Sequence, residues 1–114
     1  MTELAEVRED WRGETPVGRV HGEVDASNAA AVGTRLRALL GNESFGLIVD
    51  LTATTYIDSA GINMLFVLGD ELRMRQQALR LVVDPATPIA RMVAITGLDR
   101  AYPAHATIDA ALSA

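Results

Sequence analysis

The sequence predicts an α/β domain with a mixed sheet of four to five strands and about four helices. Two observations carry this prediction. Short extended segments alternate with amphipathic helical segments along most of the chain, an order typical of parallel strands joined by right-handed crossovers. The first two extended segments instead follow each other directly across a turn, which predicts an antiparallel hairpin at one edge of the sheet.

Length and composition indicate one domain over residues 1–114. A chain of this size buries roughly two-thirds of its unfolded surface, enough for a core without cross-links. The net charge of −5 disfavours nucleic-acid binding and favours a protein partner with basic contact residues. The chain has no cysteine, which excludes disulfides and thiol catalysis. The acidic N-terminus and the short apolar runs predict a cytoplasmic protein without membrane insertion. The small acidic surface permits a monomer or a weak dimer.

The strands are expected in four places. Glu3–Trp11 alternates loosely and predicts an edge strand, and Gly13–Pro16 is a turn signal. Val17–Asp25 alternates more regularly and predicts the antiparallel partner of the first strand. The apolar run Gly46–Leu51 predicts a central strand covered on both faces, and Leu79–Val83 predicts its neighbour.

Two long helices follow from apolar residues at helical spacing. The first is expected over Ala26–Leu40, with Gly41 at the position that follows a helix C-terminus. The second is expected from Ser59 to about Gln77. Its first half, Ile62–Leu68, is apolar nearly all round, which indicates deep packing or contact with a partner.

The last third of the chain predicts smaller elements. The turn Asp84–Pro88 starts a helix that Gly97 ends, with Ile95 on its apolar side. Leu98–Pro103 then leads into a short extended piece. Thr107–Leu112 predicts a small closing helix with its threonine as cap.

A small hydroxyl residue lies where the second long helix begins. Ser59 follows Asp58 and precedes Gly61 by two positions, directly after an extended stretch. This setting presents the serine to solvent with free backbone N–H groups beside it. Two interpretations stand: a helix N-cap, or a serine that is modified or recognised by a partner.

Six pieces of the chain together resemble a STAS domain, and more closely a bacterial anti-sigma factor antagonist. The resemblance covers about the whole chain and implies a single STAS-type domain. Its most specific element is the Asp-Ser-x-Gly run. The pieces are Gly22–Asp25, Asn28, Val49–Leu51, Tyr56–Ile62, Leu65 and Thr96–Pro103.

The resemblance implies a mechanism of partner switching. In such proteins the unmodified antagonist binds an anti-sigma factor, itself an ATP-binding serine kinase, and so frees the sigma factor. Phosphorylation of the motif serine ends that binding, and a separate phosphatase of the PP2C type restores it. Carried onto this chain, the phosphoacceptor is Ser59. Ala60 stands where relatives often carry a second hydroxyl residue, and Thr54 and Thr55 remain alternative acceptors just upstream.

The resemblance also implies a surface for the partner around the Gly22–Asp25 corner and the start of the second long helix. Asp25 either contacts the partner or caps the first helix, and Asn28 suits a local hydrogen bond. Asp58 either orients the serine or a kinase-bound nucleotide, or complements the helix dipole. Gly61 would let a partner backbone approach closely. The predicted contact residues are Glu23, Asp25, Asn28, Asp58, Ser59, Ala60, Gly61 and Met64, the last of which suits either core or an adaptable interface.

No catalytic, metal or cofactor site is predicted. His21 is expected in the hairpin and His105 in a surface loop, neither placed as a base for Ser59. The serine is also outside a Gly-x-Ser-x-Gly elbow, so a small hydrolase is disfavoured. The other alternative keeps the fold: a non-switching STAS subunit of a stressosome or of a lipid or anion transport system.

Overall fold

A computed structural model describes residues 4–41 and 45–114 of the chain. Glu3, the predicted start of the first strand, lies outside these residues. Within them, six strands and five helices follow the predicted α/β order. The strands are β1 (Ala5–Arg12), β2 (Thr15–Val24), β3 (Gly46–Asp50), β4 (Thr54–Ile57), β5 (Ala78–Val82) and β6 (Ala104–His105). The helices are α1 (Ala29–Arg37), α2 (Ser59–Met74), α3 (Pro88–Ile95), α4 (Leu98–Ala101) and α5 (Ile108–Leu112).

The strands form one mixed sheet in the order β1-β2-β3-β5-β6, which confirms the predicted fold class. The β1–β2 pair is antiparallel and the other described pairs are parallel. Arg12 lies opposite Thr15, so the hairpin turns on two residues, and the first of these is Gly13 at φ +62°. A left-handed residue is needed there, and glycine adopts it without a steric cost.

Strand β4 was not predicted from the sequence. β2 pairs first with β3 through Val17–Arg19 and then with β4 through Gly22–Val24. The register shifts between Gly22 and Glu23, and Gly22 has a φ of +97°. β4 therefore takes the place of β3 beside β2 after the chain leaves the sheet at Asp50.

The helix boundaries differ from the prediction at several points. α1 is shorter than Ala26–Leu40 because a turn precedes it and a tighter turn follows it, in which the N–H groups of Leu39 and Leu40 bond to the carbonyls three residues before them. Gly41 is therefore not the glycine that ends α1. Leu98–Ala101, expected to lead into an extended piece, forms the one-turn helix α4, which begins after Gly97 at φ +80°.

The main core lies between the sheet and helices α1 to α4, and a smaller core lies under α5 on the opposite face. All five residues of β3 are buried, which confirms a central strand covered on both faces. Ile95 is 72% exposed, so its predicted place on the apolar side of α3 is wrong. The smaller core consists of Val17, Ile48, Val82 and Ala111, with Phe45, Ile108 and Leu112 packed around it.

In the ranges that the structure describes, we find no helix with the length and apolar character to span a membrane.

Tyr102 packs the end of α4 against the middle of α2. It is only 3% exposed, its ring packs edge-on against Phe66, and a Cβ at Gly69 would lie 2.3 Å from the ring. The hydroxyl donates a hydrogen bond to the Asp70 carboxylate, and the Arg73 guanidinium lies 4.9 Å from the ring centroid. Burial, with the Asp70 contact as the second cause, raises the pKa of Tyr102 to about 12.

We expect this buried phenol to make folding stability sensitive to alkaline pH. Because the folded-state pKa is raised, the contribution is fully present below pH 10, the ordinary value, and is lost as pH rises towards 12. The loss amounts to about 3 kcal/mol. In urea unfolding at successive pH values, Tyr102→Phe should lack this loss, whereas Tyr56→Phe, at a 49% exposed tyrosine, should retain it. Equal alkaline losses in wild type and Tyr102→Phe would contradict this assignment.

Candidate functional site

Two turns lie side by side at the carboxyl ends of the parallel strands β2 and β4. Val24 lies opposite Ile57 in the register, so the β2–α1 turn and the β4–α2 turn are neighbours. The Asp58 N–H donates to the Val24 carbonyl at 3.2 Å and joins the two turns. The residues predicted around Gly22–Asp25 and Ser59 are therefore brought together, because parallel strands have their carboxyl ends on the same side of the sheet.

Asp58, not Ser59, is the N-cap of α2. Its backbone is extended (φ −103°), and its Oδ1 accepts hydrogen bonds from the N–H groups of Ala60 at 2.9 Å and Gly61 at 3.1 Å. The interpretation of the serine as a cap is thus wrong. The expectation of free N–H groups beside the serine is wrong for Ala60 and Gly61, because their N–H groups already bind a carboxylate.

Ser59 is the first residue of α2 and is exposed, as its predicted presentation to solvent requires. Its hydroxyl makes no hydrogen bond to any residue of 4–41 or 45–114. Thr54 differs in both respects: it is buried, and its Oγ1 donates to the Val20 carbonyl at 2.8 Å. Thr54 is therefore not a plausible alternative acceptor, whereas Thr55 is exposed.

The β2–α1 turn is held by the side-chain amide of Asn28. The Asn28 Oδ1 accepts from the Asp25 N–H at 2.9 Å, and its Nδ2 donates to the Glu23 carbonyl at 2.8 Å. This confirms the predicted local hydrogen bonding and fixes the Glu23–Asp25 corner. Asn28 is also the N-cap residue of α1, although its side chain makes no cap hydrogen bond.

Asp25 does not cap α1, so that interpretation is wrong. Its carboxylate accepts hydrogen bonds from the hydroxyl and the N–H of Ser27, and these two contacts hold the pKa of Asp25 below its usual range. Glu23 is exposed beside it. The corner next to Ser59 therefore carries negative charge at neutral pH.

Gly61 faces the core, so the expectation that it admits a partner backbone is wrong. The residue is buried, and a Cβ there would lie 2.5 Å from Cγ1 of Ile57 and 2.9 Å from Cγ1 of Val24. The missing side chain instead allows α2 to start close against the ends of β2 and β4.

A shallow groove between α1 and α2 extends from the neighbourhood of Ser59. Met64 is 8% exposed and contributes both to the core and to this groove. At the far end, Arg37 of α1 holds Glu71 of α2 with its Nε 2.6 Å from Oε2, and this contact lowers the pKa of Glu71. The groove was not predicted from the sequence, since the nearly all-round apolar start of α2 indicated only deep packing or contact with a partner. It is lined by Ala29, Ala30, Thr34, Arg37, Ala60, Asn63, Met64 and Val67.

Neither histidine is hydrogen-bonded to Ser59. His21 is a half-buried residue of β2, as predicted. His105 is a half-buried residue of β6, so its predicted place in a surface loop is wrong. The Ser59 hydroxyl thus has no imidazole base within the described part of the chain.

The chain belongs to the STAS domain family: residues 7–108 match the family described as "Mlab, STAS domain". Its architecture is that of the anti-sigma factor antagonists. It is similar to an anti-sigma factor antagonist from Mycobacterium paratuberculosis, with 27% identity and a TM-score of 0.82 over 96% of this chain and 92% of that one. A putative anti-sigma factor antagonist from Thermotoga maritima shares the fold at 17% identity and a TM-score of 0.79, covering 94% and 92% of the two chains. The phosphorylated form of the Bacillus cell fate determinant SpoIIAA shares it at 18% identity and a TM-score of 0.65, covering 95% and 97%.

We expect Gly61→Ala to destabilise the fold. The added methyl group would overlap Ile57 and Val24, and overpacking of this kind costs about 1–3 kcal/mol. Gly41→Ala is the matched control, because a Cβ at Gly41 meets no described atom within 4 Å. Urea unfolding of the two variants measures the difference. A Gly61→Ala protein as stable as the control would contradict this packing role.

Proposed function

We propose that this protein is a regulatory binding protein, an anti-sigma factor antagonist whose docking is controlled by phosphorylation of Ser59. The unmodified form binds an anti-sigma factor that is an ATP-binding serine kinase, and the sigma factor is released. The observation that carries the proposal is the exposed Ser59 hydroxyl beside the capping carboxylate of Asp58, where it makes no hydrogen bond to a described residue.

Similar proteins support this choice of partner. The structural relatives are anti-sigma factor antagonists, and SpoIIAA has been solved in a phosphorylated and in an unphosphorylated form. For the present chain, we propose binding to such a kinase and transfer of a phosphoryl group to Ser59. We also propose that a PP2C-type phosphatase reverses this transfer in the cytoplasm. The chain itself needs no cofactor, since the kinase supplies the nucleotide.

The physical basis of the switch is the charge already present at the start of α2. A phosphoryl group adds about −1.5 to −2 charges at neutral pH. A helix N-terminus with free N–H groups would stabilise such an anion. Here the N–H groups of Ala60 and Gly61 are bound to the Asp58 carboxylate, so a phosphoryl group on Ser59 would lie beside a negative charge instead.

The neighbouring turn strengthens the effect. Asp25 has a lowered pKa and is ionised at neutral pH, and Glu23 is exposed on the same corner. A partner that fits a neutral serine between these acids would meet extra bulk and repulsion after phosphorylation. A loss of about 2.8 kcal/mol weakens binding about 100-fold. The fold need not change, because Ser59 makes no hydrogen bond that phosphorylation would break within the described residues.

The proposed docking surface combines the two turns with the α1–α2 groove. Glu23 and Asp25 offer negative charge to basic contact residues of the kinase. Ala60 and Met64 line the beginning of the groove, where a partner side chain would find an apolar floor. Asp58 contributes by holding the serine in place, as a positioning residue.

A catalytic role for this serine is not proposed. An activated serine nucleophile needs a base within hydrogen-bond reach, and the Ser59 hydroxyl has no hydrogen-bond partner in residues 4–41 and 45–114. A non-switching STAS subunit would share the fold, but it would have no need for an exposed serine in this motif.

The decisive experiment is intact mass measurement after incubation with candidate anti-sigma kinases and ATP. We expect the gain of one phosphoryl group, mapped by fragmentation to Ser59. Ser59→Ala should gain none and still bind the kinase, whereas Ser59→Glu should bind about 100-fold more weakly. Thr55→Ala, at an exposed hydroxyl residue four positions before Ser59, should behave as wild type.

Other outcomes would overturn specific parts of the proposal. A phosphoryl group mapped to Thr55 would contradict the assignment of the acceptor. Kinase binding without transfer, unaffected by Ser59→Glu, would indicate the non-switching alternative. Neither binding nor transfer with any candidate would contradict the proposed class of partner.

A further inference from the structure

Strand β1 is an edge strand of the sheet that the described residues form. In the described ranges, no strand lies beyond it. The Leu4 carbonyl accepts from the Glu23 N–H at 2.9 Å, and Ala5 lies opposite Gly22. Since hydrogen-bonded pairs alternate along an antiparallel ladder, the even-numbered residues of β1 bond to β2. The N–H and C=O groups of the odd-numbered residues therefore point outwards from the edge: Ala5, Val7, Glu9 and Trp11.

The side chains of this edge carry an alternating charge pattern. Glu6, Arg8, Asp10 and Arg12 lie on one face of β1 with alternating sign. The other face carries small or apolar side chains apart from Glu9, and Trp11 there is 43% exposed. Long exposed edges of this kind are templates for pairing with another strand.

We propose that β1 pairs antiparallel with β1 of a second copy of this chain, about a two-fold axis at Glu9. The outward-pointing groups allow only registers in which odd-numbered residues face odd-numbered residues. Centred on Glu9, Arg8 lies opposite Asp10 of the second copy, and Glu6 lies opposite Arg12. On the other face, the exposed Trp11 covers Val7 of the second copy.

The charges select this register over the two adjacent allowed ones. Shifting the pairing towards the N-terminus centres it on Arg8, which then faces itself, while Glu6 faces Asp10. Shifting it the other way centres it on Asp10, which faces itself, while Arg8 faces Arg12. Both shifts place like charges opposite each other, which destabilises a strand pair. The register centred on Glu9 is therefore favoured over the two shifted registers.

Three features limit the strength of this dimer. Arg8 and Arg12 already contact Glu6 and Asp10 of their own strand, with N–O distances of 3.3 and 2.5 Å. The Trp11 N–H donates to Asp10 Oδ1 at 2.8 Å and has to be released for the new ladder. The two copies of Glu9 face each other at the axis. A weak, concentration-dependent dimer is the expected form.

Charge reversal on the full chain tests this interface in sedimentation experiments from about 1 µM to about 1 mM. Arg8→Glu and Asp10→Arg should each abolish self-association, because each places like charges opposite each other twice. An equimolar mixture of the two variants should associate again, because both facing pairs are then complementary. Arg91→Glu makes the same charge change at an exposed residue of α3, and this variant should dimerise as the wild type does.

Substitutions at the axis test the backbone ladder in two directions. Glu9→Thr removes the like-charge pair and should tighten the dimer about tenfold, or about 1.4 kcal/mol. Glu9→Pro removes the central N–H donors and should abolish the dimer, with circular dichroism confirming that the variant folds. A wild-type chain that stays monomeric throughout, an Arg8→Glu variant that dimerises as wild type, or a mixture that stays monomeric would overturn the proposal.

Discussion

The carboxylate of Asp58 occupies the amino terminus of α2, and the geometry of the candidate site depends on this contact. It uses the N–H groups of Ala60 and Gly61, which would otherwise attract an anion, and it fixes Ser59 as the first helical residue with its side chain in solvent. The serine is thereby held at a helix terminus whose attraction for negative charge is already partly cancelled. Phosphorylation of an exposed hydroxyl in such a place would directly change the charge of the surface.

The sheet positions this terminus through strand β4. Because β4 pairs with β2 beyond the end of β3, the turn before α2 lies beside the turn before α1. The hydrogen bond from Asp58 to the Val24 carbonyl and the close packing of Gly61 keep the two turns together. Asn28 fixes the other side by binding the backbone of Glu23 and Asp25. Hydrogen bonds thus hold the backbone on both sides of this surface. This suits the proposed switch, in which phosphorylation would change the charge of the surface without moving the turns.

Much of the fold follows from the sequence, because its longer elements have clear periodicity. The buried run at β3, the hairpin and the amphipathic helices were all recognisable from the spacing of apolar residues. β4 was not, since four residues after a turn offer too little alternation, and its pairing with β2 arises only in the folded chain. α4 is a single turn, and local sequence does not distinguish such a turn from an extended connection.

The site was predictable in its location and less so in its details. A serine after an extended stretch and before an apolar helix indicates an exposed hydroxyl, and Ser59 is exposed. Which residue caps the helix was open, because aspartate and serine are both good caps and backbone geometry decides between them. The role of Gly61 depends on its neighbours Ile57 and Val24, and the half-buried place of His105 depends on the pairing of β6 with β5.

The most direct test of the central claim is a ³¹P NMR titration of the protein phosphorylated on Ser59. The second pKa of a phosphoserine is ordinarily about 6. If the Asp58 carboxylate holds the helix N–H groups, the phosphoryl group stays close to a negative charge, so its pKa should lie at or above that value and should fall in Asp58→Asn. A pKa well below the ordinary value, unchanged in Asp58→Asn, would show that the helix terminus binds the phosphoryl group and would contradict this account.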